Sequence, residues 1–330
     1  MHDPHRRWPR RGLGATALAA SLLFGGAACG AGTDPADSRA VTRSGQSTVQ
    51  TRPAIASDTA ASRQAEVHKR LRELEASYQG RIGAFALDTA SGRVVTYRAH
   101  ESFPYLSTFK VVAAAAVLRK AREEDPGLMD RVVRWSRDDL VEYSPITEKH
   151  VDSGLTVAEL CDAALKYSDN TAGNMLLKQI GGPEGLTRFL RSLGDPISRL
   201  DRWETELNEW SPGERRDTTT PAFMGRDLHR LTVGDGLAEE EKKRLIGWLR
   251  GNTTGDNRIR AGLPKEWTIG DKTGSSGGAA NDVAIAWPPG SSAPVIFSIS
   301  TNRRDADAPR DEKVIATTAT ILARGLGLPA

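Results

Sequence analysis

The uneven placement of strand-like and helix-like periodicity constrains the fold of this chain more than any other feature. Two alternating, strand-like stretches occur early, at residues 81–87 and 93–98, joined at Ser91-Gly92 as a hairpin. The next three wait until residues 267–274, 283–287 and 295–301. The middle between them is mainly helical in spacing. The chain becomes helical at Thr108, and residues 113–118 form a near-continuous apolar run that fits a helix buried on all sides. Thr156-Val157-Ala158-Glu159 matches a capping box opening a helix that ends near Lys166. Further helices are predicted over 183–193, 221–231 and 239–250. Residues 62–78, with Val67, Leu71 and Leu74 on one side, and 309–326 supply helices at the two ends. Strands from both ends of a chain can share one sheet only if the middle folds as a separate body. The expectation is an α/β fold: an antiparallel five-stranded sheet flanked by terminal helices, with an inserted all-helical lobe. A cleft between the lobes is the natural place for a site. No internal repeat is present.

With 330 residues the chain is long enough for one large domain or two lobes, and 38% hydrophobic with 26% charged residues fits a soluble globular protein. The formal charge of +3 resides wholly in residues 1–28, where Arg6, Arg7, Arg10 and Arg11 face only Asp3. The remainder is balanced, which argues against a nucleic-acid partner. A basic start followed by the apolar run 13–28, too short to span a bilayer comfortably, predicts an export signal over 1–28. Arg10-Arg11 resembles a twin-arginine signal. Gly26-Ala27-Ala28-Cys29 resembles a bacterial lipoprotein box, so lipidation of Cys29 competes with ordinary cleavage near Ala-x-Ala. Residues 29–61, rich in Ala, Thr, Ser, Asp and Gly and without hydrophobic period, are expected to be a flexible tether. The expectation is thus an exported protein, secreted or lipid-anchored outside the cytoplasmic membrane, with a catalytic domain over 62–330 acting as a monomer. Cys161, on an apolar helical stretch, reads as a buried small hydrophobe.

Three short motifs follow one another: Ser107-Thr108-Phe109-Lys110, Ser168-Asp169-Asn170 and Lys272-Thr273-Gly274. The first is expected about once by chance in such a chain and carries little weight alone. All three in this order, with Glu204-Thr205-Glu206-Leu207-Asn208 between the last two, have almost no structural reason to coexist. A serine hydroxyl is a poor nucleophile until a base takes its proton. Three residues on in a helix, Lys110 shares a face with Ser107, and burial beside polar groups would either poise its amine neutral or make it a proton conduit. At a helix N-terminus, Ser107 also directs free backbone N–H groups toward a reacting carbonyl. Ser168 can relay a proton to a leaving nitrogen, and Asn170 offers donor and acceptor to a substrate amide. Ser, Asp and Asn equally suit a helix-starting turn. Lys272 and Thr273, followed by a glycine permitting close approach, suit a substrate carboxylate beside a strand, and the N–H of Ser275 can share an oxyanion hole with Ser107.

Other signals fail. Gly274-Ser275-Ser276-Gly277-Gly278 matches Gly-x-Ser-x-Gly, but a nucleophile elbow needs a following helix, and residues 281–287 read as another strand. His68, His100, His150 and His229 lack metal-ligand spacing, and neither a dinucleotide fingerprint nor a P-loop pattern occurs. No metal or cofactor is expected.

These motifs resemble those of the class A serine β-lactamases, over residues 62 to the end. The resemblance implies hydrolysis of penicillins, and of cephalosporins too, through a serine acyl-enzyme, conferring antibiotic resistance. It implies Ser107, Lys110, Ser168 and Glu204 as catalytic residues. Tyr143, Asn170, Asn208, Arg258, Lys272, Thr273, Gly274 and Ser275 are implied to bind substrate. Residues 202–208 resemble the family's Ω-loop, whose Glu and Asn hold the deacylating water, with Arg202 and Asp217 tying its ends and Asn174 anchoring it. Arg258 is similar to an arginine that supports carboxylate binding in members lacking the usual one, whose place Asn281 takes. Thr205 departs from the proline common after the catalytic Glu, often in a cis bond. Ala114 replaces a cysteine that pairs with the equivalent of Cys161 in some relatives, leaving Cys161 free. Ser276 likewise rules out a disulfide of certain carbapenem-hydrolysing members. A penicillin-binding D,D-peptidase shares the three motifs without a reason for the Ω-loop set, and a non-catalytic binding protein should have lost a nucleophile or base.

Overall fold

The computed structural model describes residues 54–330, with side chains from residue 60 onward. The leader, Cys29 and most of the expected tether lie outside the described residues. Helix α1 (Ala54–Tyr78) begins eight residues before its amphipathic spacing predicts, inside the stretch read as tether. Alanine-rich residues 54–61 carry no hydrophobic period, yet alanine favours the helix by intrinsic propensity.

Strands β1 (Gly80–Asp88) and β2 (Arg93–Tyr97) form the first hairpin. Strands β3 (Thr268–Ser276), β4 (Ala279–Trp287) and β5 (Val295–Arg303) complete the sheet. The order is β2-β1-β5-β4-β3, antiparallel throughout. The end of the chain therefore inserts β5 beside β1 and leaves β3 at an edge. Along β4 the alternation is clear: Ala284 and Ala286 face one core while Val283 and Ile285 face another. With both faces covered, a strand reads as a continuous apolar run.

On the first face lie α1 and the last helix, α8 (Glu312–Gly325), which bury Val67, Leu71, Ile315 and Leu322 against Ile82 and Phe297. Against the second face stands the helical lobe, built round α2 (Phe109–Glu123), whose residues 109–118 are all buried as the apolar run predicts. The capping box forms at α3 (Val157–Lys166): Thr156 Oγ1 accepts from Glu159 N at 3.2 Å, and Glu159 Oε2 accepts from Thr156 N at 2.7 Å. Helices α5 (Gly182–Ser192), α6 (Pro221–Thr232) and α7 (Glu239–Arg250) fall where expected. Helix α4 (Asn170–Gln179) goes beyond the sequence expectation, which reaches only the helix-starting turn at Ser168-Asp169-Asn170.

Candidate active site

Ser107 sits in a 3-10 turn, Leu106–Thr108, that runs directly into α2. Lys110, one turn on, brings Nζ to 2.9 Å from Ser107 Oγ. That amine is wholly buried and meets four oxygens: Ser107 Oγ, Ser168 O at 2.9 Å, Asn170 Oδ1 at 2.6 Å and Glu204 Oε1 at 2.9 Å. An ammonium has three N–H groups, so these four contacts share fewer hydrogens than they need. Burial pulls the Lys110 amine below the ordinary lysine range, and the Glu204 carboxylate works against that pull. Close passage of Lys110 requires Gly173 on α4, where a Cβ would stand 2.8 Å from Lys110 Cε.

The second motif is held from behind. Asp169 caps α4 through Ala172 N (2.8 Å) and also takes the N–H groups of Ile146 and Thr147, each at 2.9 Å. This binds the 143–147 loop to the lobe and leaves Tyr143 at the rim of the cleft, its ring side exposed and its carbonyl accepting from Asn170 N at 3.0 Å. Ser168 Oγ lies 2.9 Å from Lys272 Nζ. Lys272 is fully buried, and burial together with neighbouring Lys110 puts its amine well below the ordinary value.

Lys272, Thr273 and Gly274 lie on edge strand β3, as predicted, opposite Val283, Asp282 and Asn281. A Cβ on Gly274 would stand 2.8 Å from Leu106 Cβ and 3.1 Å from Ser107 N, so only glycine lets this strand approach the serine. The Gly-x-Ser-x-Gly match is the end of the β3–β4 hairpin.

Glu204 enters from a loop spanning residues 201–217. Its ends are tied by Arg202 Nε to Asp217 Oδ2 at 2.6 Å, while Asp217 Oδ1 accepts from Asp201 N and Arg202 N. Asn174 fixes the middle, accepting from Glu204 N at 2.9 Å and donating to Glu204 O at 3.0 Å. The Glu204–Thr205 peptide is cis although threonine replaces proline. Asn208 Nδ2 donates to Glu204 Oε2 at 2.5 Å, and Glu204 Oε1 lies 3.4 Å from Ser107 Oγ.

Arg258, 2% exposed, has every N–H engaged: Gly274 O and Asn281 O from Nη1, Ser275 Oγ and Glu312 Oε1 from Nη2, and Glu312 again from Nε. Its guanidinium lines the cleft and is joined there to Ser275. Asn281 does not reach the cleft; its amide donates to Pro104 O and Tyr105 O, steadying the segment ahead of Ser107. Cys161 is buried and free, and burial pushes its thiol far above the usual range.

All twelve residues singled out from sequence converge here, around a cleft of about 630 Å³ whose walls include Ser107, Ser168, Asn170, Thr273 and Ser275. Sequence reasoning missed Gly173, Thr254 and Glu312, which act by touching the motif residues and carry no local pattern of their own.

The β-lactamase enzyme family matches this chain over residues 66–326. The chain belongs to the class A β-lactamases. It is 49% identical to the β-lactamase AST-1 of Nocardia asteroides across 98% of both chains. It is 48% identical to the carbapenem-hydrolysing β-lactamase KPC of Klebsiella oxytoca, over 78% of this chain and 87% of that one. Among solved structures, a β-lactamase from Streptosporangium roseum superposes with a TM-score of 0.79 at 63% identity, covering 80% of this chain and 99% of that one. The protein is accordingly a hydrolase acting on the β-lactam amide, an activity that confers antibiotic resistance.

Proposed function

We propose that Ser107 is the acylating nucleophile in hydrolysis of penicillins and cephalosporins, served by the Lys110–Glu204 pair. The observation that carries this reading is the amine of Lys110 at 2.9 Å from both Ser107 Oγ and Glu204 Oε1, in a fully buried cluster. As a neutral amine, Lys110 gives its two N–H groups to Ser168 O and Asn170 Oδ1 and turns its lone pair toward Ser107. Glu204 Oε1, at 3.4 Å from Ser107 Oγ, is the second group within reach of the serine proton, so the two act on it as a pair. Ser107 Oγ bonds to the lactam carbonyl carbon, with the N–H groups of Ser107 and Ser275 facing the oxyanion. As the C–N bond breaks, Ser168 passes its hydrogen to the nitrogen and takes one from Lys272 at 2.9 Å. Lys272, Thr273 and Ser275 receive the substrate carboxylate, with Arg258 behind Ser275. Tyr143 and Asn170 flank the amide side.

Deacylation needs a base beside the ester and a means of aiming water. Glu204 supplies the first. Asn208 supplies the second, since Nδ2 is spent on Glu204 while its buried Oδ1 has no protein partner. Steady-state hydrolysis of benzylpenicillin and of a cephalosporin tests the assignment. Ser107→Ala is expected to lose at least about 10³-fold in kcat and to show no mass adduct. Residual turnover within tenfold of the parent would remove Ser107 from the nucleophile's role.

The leader composition supports export and a lipid anchor at Cys29, and a site assembled entirely from one chain supports a working monomer. Intact mass of the protein from its natural host would reveal a diacylglyceryl-cysteine terminus, or its absence.

A further inference from the structure

Thr273 is offered to substrate as a hydrogen-bond donor, yet the hydrogens around it are already spoken for. Its Oγ1 lies 2.5 Å from Oγ1 of Thr254, on the loop after α7, and both residues line the cleft. Thr254 Oγ1 also lies 2.8 Å from Asn252 Oδ1, which takes Thr254 N at 3.1 Å as well. The amide of Asn252 is oriented by its other end, where Nδ2 donates to the buried carboxylate of Asp271 at 2.7 Å, itself held by Arg260 at 2.7 Å. Asn252 Oδ1 can only accept, so Thr254 must give it its single hydroxyl hydrogen. The 2.5 Å contact then needs its hydrogen from Thr273. In the free enzyme Thr273 thus points its hydrogen away from substrate and presents lone pairs to the cleft.

We propose that Thr254 is a positioning residue for recognition of the substrate carboxylate, acting by reversing this chain of hydroxyls. When a carboxylate arrives, Thr273 turns its hydrogen to it. Thr254 then swings its own hydrogen from Asn252 to Thr273, and Asn252 Oδ1 keeps the Thr254 N–H. No hydroxyl oxygen is left bare, and Thr273 donates more strongly because it accepts from behind. Two rotations about C–O bonds carry the change; no heavy atom has to move. The inference rests on the proposed role of Thr273 in the site.

Steady-state kinetics with benzylpenicillin and with its methyl ester provide the test. Thr254→Val is expected to raise KM for benzylpenicillin about 3–10-fold, the worth of one hydrogen bond, with kcat within twofold. Thr254→Ser should behave as the parent, the methyl ester should register no change, and Thr254→Val should add nothing in a Thr273→Val background. An unchanged KM with benzylpenicillin, an equal loss with the ester, or additive effects of the two substitutions would each overturn the relay. Parent turnover and the Ser107→Ala blank report separately on the site itself.

Discussion

At the scale of single residues, the site depends on groups that make room as much as on groups that react. Gly274 brings the edge strand against the turn carrying Ser107, and Gly173 lets the stem of Lys110 pass under α4. Adding one methyl at Gly274 presses on Leu106 and on the N–H of Ser107, which the proposed mechanism aims at the reacting carbonyl. Gly274→Ala is therefore expected to lower kcat on the order of 10²-fold, as misplacement of a reacting group by about 1 Å does, while the melting temperature changes little. Stopped-flow acylation with a chromogenic cephalosporin would read this directly, and an unaltered acylation rate would contradict it. The motif residues were legible in the sequence because their chemistry sets their spacing: Lys110 must follow Ser107 by one helical turn. Thr254 and Glu312 were not, because each is defined only by the side chain it touches across the fold.

At the scale of elements, the loop over 201–217 is the piece whose rigidity the proposed deacylation needs. It has little regular structure, and its shape is maintained by side chains meeting backbone: Asp217 at both ends, Asn174 in the middle, and Trp210 Nε1 donating to Ser276 O at 3.1 Å. Arg202→Ala leaves the buried Asp217 carboxylate without its cation, a loss of roughly 3–5 kcal/mol for such a pair. The expected result is an enzyme that still acylates but holds Glu204 loosely, so that acyl-enzyme accumulates during turnover of benzylpenicillin. Quenched-flow mass analysis showing no such build-up would argue that the loop needs no tie. Helix α4 escaped sequence reading for a related reason: its residues after the Asp169 cap are buried on nearly every side, so no amphipathic period marks it. Helix α1 runs longer than its apolar stripe because propensity extends a helix where packing does not.

At the scale of the whole molecule, sheet and helical lobe were both foreseeable from where periodicity changes along the chain. What could not be foreseen is the polar interior. Asp227 on α6 is buried beside Asp195, and burial, with the Asp195 charge second, pushes its carboxyl up to about 9. In the unfolded chain the same group titrates near the ordinary aspartate value. Its contribution to stability is thus full below about pH 4 and is lost progressively as pH rises toward 9, because the unfolded state releases the proton first. Asp227→Asn, which cannot titrate, is expected to flatten this slope and to raise the melting temperature more at pH 8 than at pH 5. Thermal scans across pH 5–9 with parallel curves for parent and variant would exclude a protonated Asp227.

Glu204, as the proposed base that frees the acylated serine, is the residue on which turnover hinges. Intact-protein mass spectrometry of Glu204→Ala mixed with benzylpenicillin, followed from seconds to hours beside the parent, tests it most directly. A one-to-one penicilloyl adduct on Ser107 that persists in the variant, while the parent clears its own during turnover, is the predicted result. Turnover by the variant at a rate near the parent's, with no lasting adduct, would contradict it.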